Sequence, residues 1–530
     1  MTDELYRRFV PGYNKVAAAL DGPLVAAAVD DAILPGAPAP PPVPPGPPAV
    51  PSPAVVAALV GPNEVPLLTL ELLDEIRAQL RSEPTLTLKL ARRAIDRDLS
   101  EADLHVLLDQ LEAGLKNPVG AMVAADVGEP IELPPDFTFP GIETNANFQA
   151  RPSDHVYEDG DKWGYGLNCA GAILKRVVTG GLTDFRWHDD YQSAFMYHLK
   201  DNAKVGLFSD FGTGLPHTWY IAKFLAANAP DCSIHLGDVY YAGKTVEKQL
   251  NFDAPLIPYN TKYELWNLAG NHDYYSNGSA YFTGIDQRRA GTGIGITDGR
   301  RHRQEGSYFC LESKAFCIIA IDEEYHSFFG TNPQYREPRL KAWMVDRITA
   351  AKAANKSVIL MSSDEPYSIG DSKLTELYFD VVDQLQPDAI DLWFWGNTHY
   401  CAFFDHSPDM ASKFYGACIG HGGFPYSTLK PNPAAAAVAP YRWAETEPRF
   451  PRWTNIRPDM GNNGFVMMEL DDDNAALSLK YFDWTNDLRA VVKLSKQGNQ
   501  LRSTLVAGQK RDLRRKPQPA PVPAPNPAGP

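Results

Sequence analysis

The chain has few cysteines, no long apolar run and no excess of positive charge. Six cysteines among 530 residues, with no C-x-x-C pair, predict reduced thiols in the core instead of a disulfide framework. No stretch approaches the roughly 20 apolar residues of a membrane span. The formal net charge of -15 disfavours broad binding of nucleic-acid backbones. The acidic start MTDELYRRF is unlike a secretory signal, so we expect a cytoplasmic location.

Proline is concentrated in two segments that flank the rest of the chain. Residues 36–53, GAPAPPPVPPGPPAVPSP, predict an extended linker, and the Pro/Ala-rich residues 510–530 predict a disordered tail. Beyond the linker, leucines at 104, 107, 108, 111 and 115 recur at helical spacing and predict an amphipathic helix that begins after Ser100. Its apolar face would pack either on the neighbouring helix around residues 73–80 or on the main domain.

From about residue 200 the chain changes to short apolar strands that each end in polar residues. The strands KVGLFS, CSIHL, YELWNLA, SVILMSS and IDLWFW are followed in turn by DFG, GDVYY, GNHD, DEP and GNTH. In open α/β sheets, ligand sites lie beyond the carboxyl ends of the strands. We therefore expect these five groups of polar residues to converge at one edge.

The expected cluster offers carboxylate, phenol, amide and imidazole groups, without lysine or cysteine. Mixed oxygen and nitrogen donors of this kind suit a pair of metal ions about 3.5–4 Å apart. The order D-x-G, G-D-x-x-Y, G-N-H-D, a fourth element and G-x-x-H resembles the calcineurin-like metallophosphoesterase superfamily. The first two motifs resemble its purple acid phosphatase branch. The resemblance covers about residues 200–485.

The resemblance implies a role for each motif residue in a site with two metal ions. Asp210, Tyr241 and His399 would hold the first ion. Asp238 would bridge the two ions, and Asn271 would bind the second through its side-chain oxygen. The candidate ions are iron, manganese, zinc and magnesium.

Two positions of the second metal site depart from the family pattern. The family would place histidines where this chain has Asp364 and Asn397, so the second site would have only oxygen ligands. Such a site favours Mg²⁺, Mn²⁺ or Ca²⁺ over Zn²⁺. Three alternatives follow: a natural site adapted to hard ions, a weak or empty site in a pseudoenzyme, or a protein deliberately altered at its metal ligands.

The resemblance also implies that His272 is catalytic. It would stabilise the transition state or protonate the leaving group, a role that suits an imidazole because its ordinary pKa lies near working pH. A protein kinase is disfavoured, although Asp210-Phe211-Gly212 spells DFG, because no H-R-D catalytic loop is present upstream.

Four further residues are candidates for substrate contact. His217 and His421 lie in glycine-rich loops expected at the same edge, where each would orient substrate or a ligand, or have a structural role. Arg300 and Arg303 belong to a basic run that would either meet a phosphate near the cleft or form a solvated surface cluster.

The sequence thus predicts an α/β (α+β) protein with a four-layer α-β-β-α metallophosphoesterase sandwich and a small N-terminal helical region. The expected divisions are a helical segment (1–35), the linker (36–53), a small helical domain (54–135), a connecting segment (136–199), the phosphoesterase domain (200–490) and the tail (510–530).

The expected activity is hydrolysis of phosphate esters by a metal-activated hydroxide at a dinuclear site. The expected partner is a phosphorylated small molecule or another phosphoester substrate, with no general nucleic-acid binding. The alternative is a catalytically impaired protein that keeps the fold and binds phosphate or a partner. The residues do not distinguish a monoester from a diester, and they do not indicate the oligomeric state.

Overall fold

The computed structural model describes most of the chain from residue 182 to residue 507. Gaps in this range lie at 215, 257–262, 292–301, 328–336, 368–373, 384, 387, 407–413, 425, 427–440, 448–460 and 499. Eight residues nearer the N-terminus are also described: 74, 77, 78, 81, 105, 108, 109 and 172.

Fifteen strands of the described residues form two mixed sheets. The first sheet has eight strands in the order β1-β5-β6-β7-β8-β10-β9-β11. Its strands β6, β7, β8 and β10 run parallel to one another. Their bounds are β1 Met196–His198, β5 Phe309–Glu312, β6 Phe316–Ala320, β7 Ser357–Met361, β8 Leu392–Trp395, β9 Cys401–Phe404, β10 Tyr415–Ile419 and β11 Tyr441–Ala444.

The second sheet has seven strands in the order β15-β14-β13-β12-β2-β3-β4. Strands β2, β3 and β4 are parallel, whereas β12 to β15 form an antiparallel meander joined to β2. Their bounds are β2 Lys204–Phe208, β3 Cys232–His235, β4 Glu264–Asn267, β12 Gly464–Asp471, β13 Ala476–Asp483, β14 Leu488–Gln497 and β15 Gln500–Ala507.

Helices cover the outer faces of the two sheets. Helix α1 (Pro216–Ala227) packs against β12, and α7 (Pro338–Ala353) packs against β6 and β7. The others are α2 (Thr245–Glu247), which continues through a π-helical stretch (Lys248–Asp253) into α3 (Ala254–Leu256), then α4 (Asn271–Tyr275), α5 (Ser279–Ala290), α6 (Glu324–Ser327) and α8 (Glu376–Val382), with a 3-10 turn at His188–Asp190. This confirms the predicted sandwich of two sheets flanked by helices.

One apolar core joins the inner faces of the two sheets. Val205 and Leu207 of β2 share it with Ile318 of β6 and Leu360 of β7, all of them fully buried. A smaller cluster, which includes Phe208 and Trp219, lies between the second sheet and α1. Burial of alternate residues on β13, from Leu477 to Asp483, is typical of a strand with one solvent-facing side. This shared core fixes the position of one sheet relative to the other, and so determines where their strand ends meet.

The predicted strands all occur, but the predicted domain boundaries do not match the sheets at either end. The five apolar segments form β2, β3, β4, β7 and β8. The predicted end at residue 490 falls inside β14, and β15 extends the second sheet to Ala507. At the other end, β1 lies in the predicted connecting segment and pairs with β5. Edge strands of this kind were missed because their apolar runs are short.

The described N-terminal residues bear on the predicted helices there. Asp74, Arg77, His105 and Asp109 all have helical backbone. The Arg77 guanidinium donates to Asp109 Oδ1 at 2.6 Å, so the two helical segments lie side by side. This contact agrees with packing of the predicted amphipathic helix on the neighbouring helix around residues 73–80. The linker, the tail and Ser100 lie outside the described residues.

Two expectations from composition concern membrane spans and thiols. In the described part of the chain, no helix is long and apolar enough to cross a membrane. The five described cysteines, at 232, 310, 317, 401 and 418, are buried and free, as expected of reduced core residues.

Candidate metal centre

The ends of five strands carry the predicted site residues to one region between the two sheets. Asp210 follows β2, Asp238 follows β3, and Asn271 begins α4 just after β4. From the other sheet, Asp364 follows β7 and Asn397 follows β8. Strands β2, β3 and β4 are parallel to one another, and so are β7 and β8. The carboxyl ends of each group therefore point the same way, as the sequence analysis expected.

The first metal position is formed by a carboxylate, a phenol and an imidazole. The hydroxyl of Tyr240 donates to Asp210 Oδ1 at 2.7 Å and lies 2.9 Å from His399 Nε2. His399 Nε2 lies 3.4 Å from Asp210 Oδ1. Burial raises the pKa of Asp210, and the nearby His399 opposes this. Asp210 and His399 are thus together, as predicted.

The phenol in this cluster belongs to Tyr240, whereas the motif spacing had assigned the role to Tyr241. Tyr241 instead offers its backbone carbonyl, which accepts a hydrogen bond from His272 Nδ1 at 2.5 Å. The motif marks only a spacing from Asp238, and two tyrosines are adjacent there. Which ring turns inward depends on the turn that follows β3, and the sequence did not reveal it.

Asp238 lies centrally and accepts from neighbours on both sides. The backbone N–H of His272 donates to Asp238 Oδ1 at 3.1 Å, and the Tyr240 hydroxyl lies 3.5 Å from Oδ2. Burial raises the pKa of Asp238 well above its ordinary value, with further increases from the charges of Asp210 and Asp273. This central place between two groups of polar residues fits the bridging role predicted for it.

Asp273, the last residue of the GNHD motif, connects the loops of the site and was missed by the sequence analysis. One of its oxygens accepts from the backbone N–H of Asp238 at 3.0 Å and of Gly270 at 2.9 Å. Burial raises its pKa to about 7. Asp273 therefore fixes the position of Asp238 relative to α4 and has no place among the expected ligands.

His272 is held with its ring orientation fixed. Since a carbonyl only accepts, the contact with the Tyr241 carbonyl puts the hydrogen of the neutral ring on Nδ1. The ring packs between those of Tyr240 and Tyr275, with centroids 4.5 and 4.6 Å away. Burial lowers the pKa of His272 to about 3. A neutral imidazole with an acceptor at Nε2 suits the positioning of substrate or water better than donation of a proton.

Asp364 and Asn397 face each other directly. The Asn397 side-chain nitrogen donates to Asp364 Oδ1 at 2.5 Å, and the Asn397 backbone N–H donates to Asp210 Oδ2 at 3.0 Å. Asn397 therefore connects both predicted metal positions. The two departures from the family pattern form one hydrogen-bonded pair, so a change at either position also affects the other.

Four of the expected site residues have unusual backbone. Asp210, Asp238, Asn397 and His399 have φ values of 56°, 78°, 56° and 57°, in the left-handed region. Side chains other than glycine rarely adopt this conformation, and it costs on the order of 1 kcal/mol or more at each position. Other described residues, among them Ala194 and Asn355, also have positive φ, so this conformation is not confined to the site.

Two glycines of the motifs make room for the carboxylates. A Cβ on Gly270 would lie 2.1 Å from Asp238 Oδ1, and one on Gly396 would lie 1.9 Å from Ser209 Oγ and 3.0 Å from Asp210 Oδ2. No side chain fits in either place. The expected ligand side chains Asp238 and Asp210 themselves lie in the space beside the two glycines.

The donor set fits a pair of cations. Asn271 donates through its side-chain nitrogen to the Tyr275 hydroxyl at 2.6 Å, and its buried Oδ1 has no hydrogen-bond partner among the described residues. A buried acceptor without a donor is costly, and a bound ion would satisfy it. In the described part of the chain, no lysine or arginine pairs with Asp210, Asp238 or Asp364. Bound cations would offset this negative charge.

The two histidines of the glycine-rich loops lie beside the site without reaching its ligands. His217 Nε2 lies 2.7 Å from the Gly423 carbonyl, and burial lowers the pKa of His217 to about 4. The His421 carbonyl accepts from the N–H of Gly464 at 2.8 Å, and burial lowers the pKa of His421 to about 4. Both hold the loop after β10 against neighbouring segments, and this contact favours the structural alternative.

Arg303 is not part of the site. It donates to the His198 carbonyl at 2.9 Å and to Glu264 at 3.0 Å, and it stacks on Trp266. Glu264 begins β4, whereas the site lies beyond the end of that strand. Arg303 therefore lies near the amino end of β4, a position that the sequence alone did not predict. Arg300 lies outside the described residues.

A separate group of ligand atoms lies on the hairpin of β5 and β6. Cys310 Sγ and Cys317 Sγ are 3.4 Å apart, and Glu312 Oε1 is 3.8 Å from the first and 3.9 Å from the second. This is the most compact set of acid, thiol or imidazole ligands among the described residues, whereas the predicted metal ligands surround a wider space. Lys356 pairs with Glu312 at 2.9 Å, so this group already has a cation.

The fold is an α-β-β-α sandwich, and carboxylate, phenol, amide and imidazole groups meet at its strand ends. A family model described as calcineurin-like phosphoesterase matches residues 203–401. The matched segment contains every predicted metal ligand from Asp210 to His399.

Among solved structures, the chain is similar in fold to two proteins at low identity. One is described as GAP50, the anchor in the inner membrane complex of Plasmodium, with 14% identity, a TM-score of 0.39, and coverage of 59% of this chain and 91% of that one. The other is purple acid phosphatase PPD1 from seeds of yellow lupin (Lupinus luteus), with 14% identity, a TM-score of 0.38, and coverage of 56% of this chain and 54% of that one. No curated protein sequence matches significantly.

The two neighbouring tyrosines can be distinguished by spectroscopy. If the first position binds a ferric ion, the iron-loaded protein should absorb visible light through charge transfer from phenolate to metal. We expect Tyr240→Phe to abolish this band and Tyr241→Phe to keep it, because the Tyr240 hydroxyl contacts both Asp210 and His399. The measurement is the visible absorption of both variants after iron loading.

The reverse result, with the band lost only in Tyr241→Phe, would restore the assignment made from the motif. A colourless protein that takes up zinc or manganese but no iron would remove the ferric assignment and leave the position itself intact.

Proposed function

We propose that this protein is a metal-dependent phosphoesterase that hydrolyses phosphate esters at a dinuclear site. The observation that carries the proposal is the convergence of Asp210, Tyr240 and His399 with Asp238 and Asn271, within a calcineurin-like phosphoesterase domain. Asp210, Tyr240 and His399 would hold the first ion. Asp238 would serve both ions, and Asn271 and Asp364 would contribute to the second.

The ions, when bound, would polarise the phosphate oxygens and lower the pKa of an attacking water. The chain's own residues supply position and orientation. The Asp273 carboxylate fixes the loops that carry Asp238 and α4, and the Asn397 backbone orients Asp210. His272, neutral and fixed through Nδ1, would present its Nε2 to the attacking water or to the substrate.

A second candidate is a protein that keeps the fold and binds phosphate or a partner without turnover. The observation in its favour is the pair of Asp364 and Asn397, which stand where the family places two imidazoles and bond to each other at 2.5 Å. An amide and an acid that are satisfied by each other would hold a second ion less tightly than two imidazoles.

Metal content and turnover separate the two candidates. The full chain would be stripped with chelator, reloaded separately with Fe, Zn, Mn and Mg, analysed by mass spectrometry for bound metal, and assayed on aryl phosphate monoesters and diesters. We expect two ions per chain and metal-dependent hydrolysis. One ion or none, with no hydrolysis under any of the four conditions, would favour the binding protein.

A further inference from the structure

Two thiols and a carboxylate converge on the hairpin formed by β5 and β6. Cys310 and Glu312 are two residues apart on β5, so their side chains lie on the same face of the sheet. Cys317 of β6 is paired in register with Glu312 and therefore joins them on that face. The two Sγ atoms are 3.4 Å apart, and Glu312 Oε1 lies 3.8 Å from the first and 3.9 Å from the second. The three ligand atoms thus form a nearly equilateral triangle.

This triangle has the dimensions of one face of a tetrahedral zinc site. With Zn–S bonds of about 2.3 Å and a Zn–O bond of about 2.0 Å, tetrahedral angles put two sulfurs about 3.8 Å apart and each sulfur about 3.5 Å from the oxygen. The observed separations differ from these values by about 0.4 Å or less, which small side-chain rotations would correct. A disulfide, with its S–S bond of about 2.0 Å, would need a closer approach of the sulfurs by about 1.4 Å. The geometry therefore favours an ion over a disulfide.

The existing partner of Glu312 leaves room for an ion. Lys356 donates to Oε2 of Glu312 at 2.9 Å, whereas Oε1 is the oxygen near the two thiols. Two thiolates and a carboxylate carry three negative charges, which a divalent ion and the Lys356 ammonium together balance. Lys356 would then hold the carboxylate in its orientation, as the hydrogen-bond partners of metal ligands commonly do.

The three ligands are enclosed but can be reached from solvent. Cys310 and Cys317 are buried, while the Glu312 side chain is 29% exposed. Met196 of β1 is paired with Cys310, and Arg347 of α7 donates to its Sδ at 2.6 Å, so α7 covers part of this face. The exposed side at Glu312 admits an ion and a water molecule as its fourth ligand.

This group is separate from the candidate metal centre. Cys317 is the second residue of β6 and pairs with Val358, the second residue of the parallel strand β7. The candidate metal centre lies instead beyond the carboxyl end of β7, where Asp364 follows the strand. The two groups also differ in chemistry, because thiolates select Zn²⁺ whereas oxygen ligands suit Mg²⁺ and Mn²⁺.

We propose that Cys310, Glu312 and Cys317 bind one Zn²⁺ ion. The ion replaces the two thiol protons, which pass to solvent, and it joins β5 to β6 near the edge of the first sheet. The inference goes beyond the proposed function and does not rest on it, since no residue of the strand-end site takes part.

Cobalt(II) tests the site in the full chain, stripped with chelator and kept reduced. A thiolate bound to Co²⁺ gives an intense near-ultraviolet charge-transfer band that oxygen ligands do not give, so ions at the strand ends do not contribute to it. We expect the band to saturate at the intensity of two thiolates per chain. About five equivalents of Zn²⁺ should then abolish it, whereas an excess of about 10³-fold of Mg²⁺ should not.

Variants assign the band to its ligands. Cys317→Ala should halve the band and weaken Co²⁺ binding by about 100-fold or more, and the double variant Cys310→Ala, Cys317→Ala should abolish the band. Glu312→Gln keeps both thiols, so it should retain the band and weaken binding by about ten-fold. The matched control is Cys232→Ala, which removes a buried thiol from β3 of the other sheet and should change neither quantity. Circular dichroism in chelator verifies that each variant is folded.

Four results would overturn the inference. The first is a reduced, folded protein without a thiolate band in Co²⁺, and the second is a band that Cys317→Ala and Cys232→Ala reduce equally. The third is a Glu312→Gln variant that binds Co²⁺ as tightly as the unaltered chain. The fourth is a disulfide between Cys310 and Cys317, detected by mass spectrometry in protein purified with zinc, which would make the two thiols a redox pair.

Discussion

Asp238→Asn should release both ions and lower phosphoesterase turnover by about 10³-fold or more. Asp238 accepts from the His272 N–H and lies 3.5 Å from the Tyr240 hydroxyl, so it stands between the two metal positions. A neutral amide cannot offset the repulsion of two cations, and each 1.4 kcal/mol lost from the transition state is a factor of ten in rate. Metal analysis and kcat measure the two effects.

The same variant should be more stable than the unaltered chain in chelator. Burial raises the pKa of Asp238, so its ionised form destabilises the folded state. That destabilisation begins near pH 4, the pKa of an unfolded aspartate, and grows as the pH rises towards the folded pKa. Thermal melting in chelator should therefore show a stability loss between pH 4 and 7 that is smaller in Asp238→Asn.

Asp391→Asn is the matched control. Asp391 is also a buried aspartate, and it pairs with Lys352 at 2.5 Å. It lies at the amino end of β8, away from the carboxyl ends that carry the site. We expect it to destabilise the protein while leaving both ions bound. If Asp238→Asn keeps two ions, or loses only as much metal as Asp391→Asn, Asp238 is not a bridge.

The double reversion Asp364→His, Asn397→His should increase the affinity of the second position for zinc by about 10²-fold and turnover by about ten-fold or more. Two neutral nitrogen donors would replace an acid and an amide, which suits ions of the zinc type. Because Asn397 donates to Asp364 at 2.5 Å, each single change leaves its partner unpaired. The double variant should therefore exceed the product of the singles.

Histidine at 397 is compatible with the backbone. Asn397 has a φ of 56°, and His399, two residues further on, already adopts 57°. The control is His272→Ala in the reverted protein, which should lower turnover without removing the ions, since the His272 ring donates to the Tyr241 backbone carbonyl and is not itself an expected metal ligand.

Two outcomes would contradict the expectation for the double reversion. A second ion gained without faster hydrolysis would mean that the ligand changes are not the cause of any inactivity. Brisk turnover of the unaltered protein with Mn²⁺ or Mg²⁺, slowed by the reversion, would mean that Asp364 and Asn397 are ligands adapted to hard ions.

The strands and the site edge were predictable because their signals are local. Short apolar runs such as SVILM and LWFW form buried strands wherever a core is available, and glycines next to acids mark tight turns. The parallel strands of the two packed sheets then bring Asp210 and Asp238, from one sheet, together with His399, from the other. The order of the motifs along the chain was enough to predict a metal centre, although the sequence does not show which strands pair with each other.

Other features were missed because they depend on contacts between distant segments. The motif spacing pointed to Tyr241, whereas packing places the hydroxyl of the adjacent Tyr240 against Asp210 and His399. The sequence left Arg303 open between a phosphate contact and a surface cluster, and its bonds to Glu264 and the His198 carbonyl exist only in the folded chain.

By itself, the sequence determined the sandwich, the edge where function resides, and an acid-rich site with oxygen ligands in place of two imidazoles. These depend on residue type, spacing and chain direction, which are properties of single segments. Tertiary structure alone decided that Asn397 bonds to Asp364 and that Asp273 connects two loops. Each of those contacts joins separate segments, and their geometry exists only once the two sheets have packed.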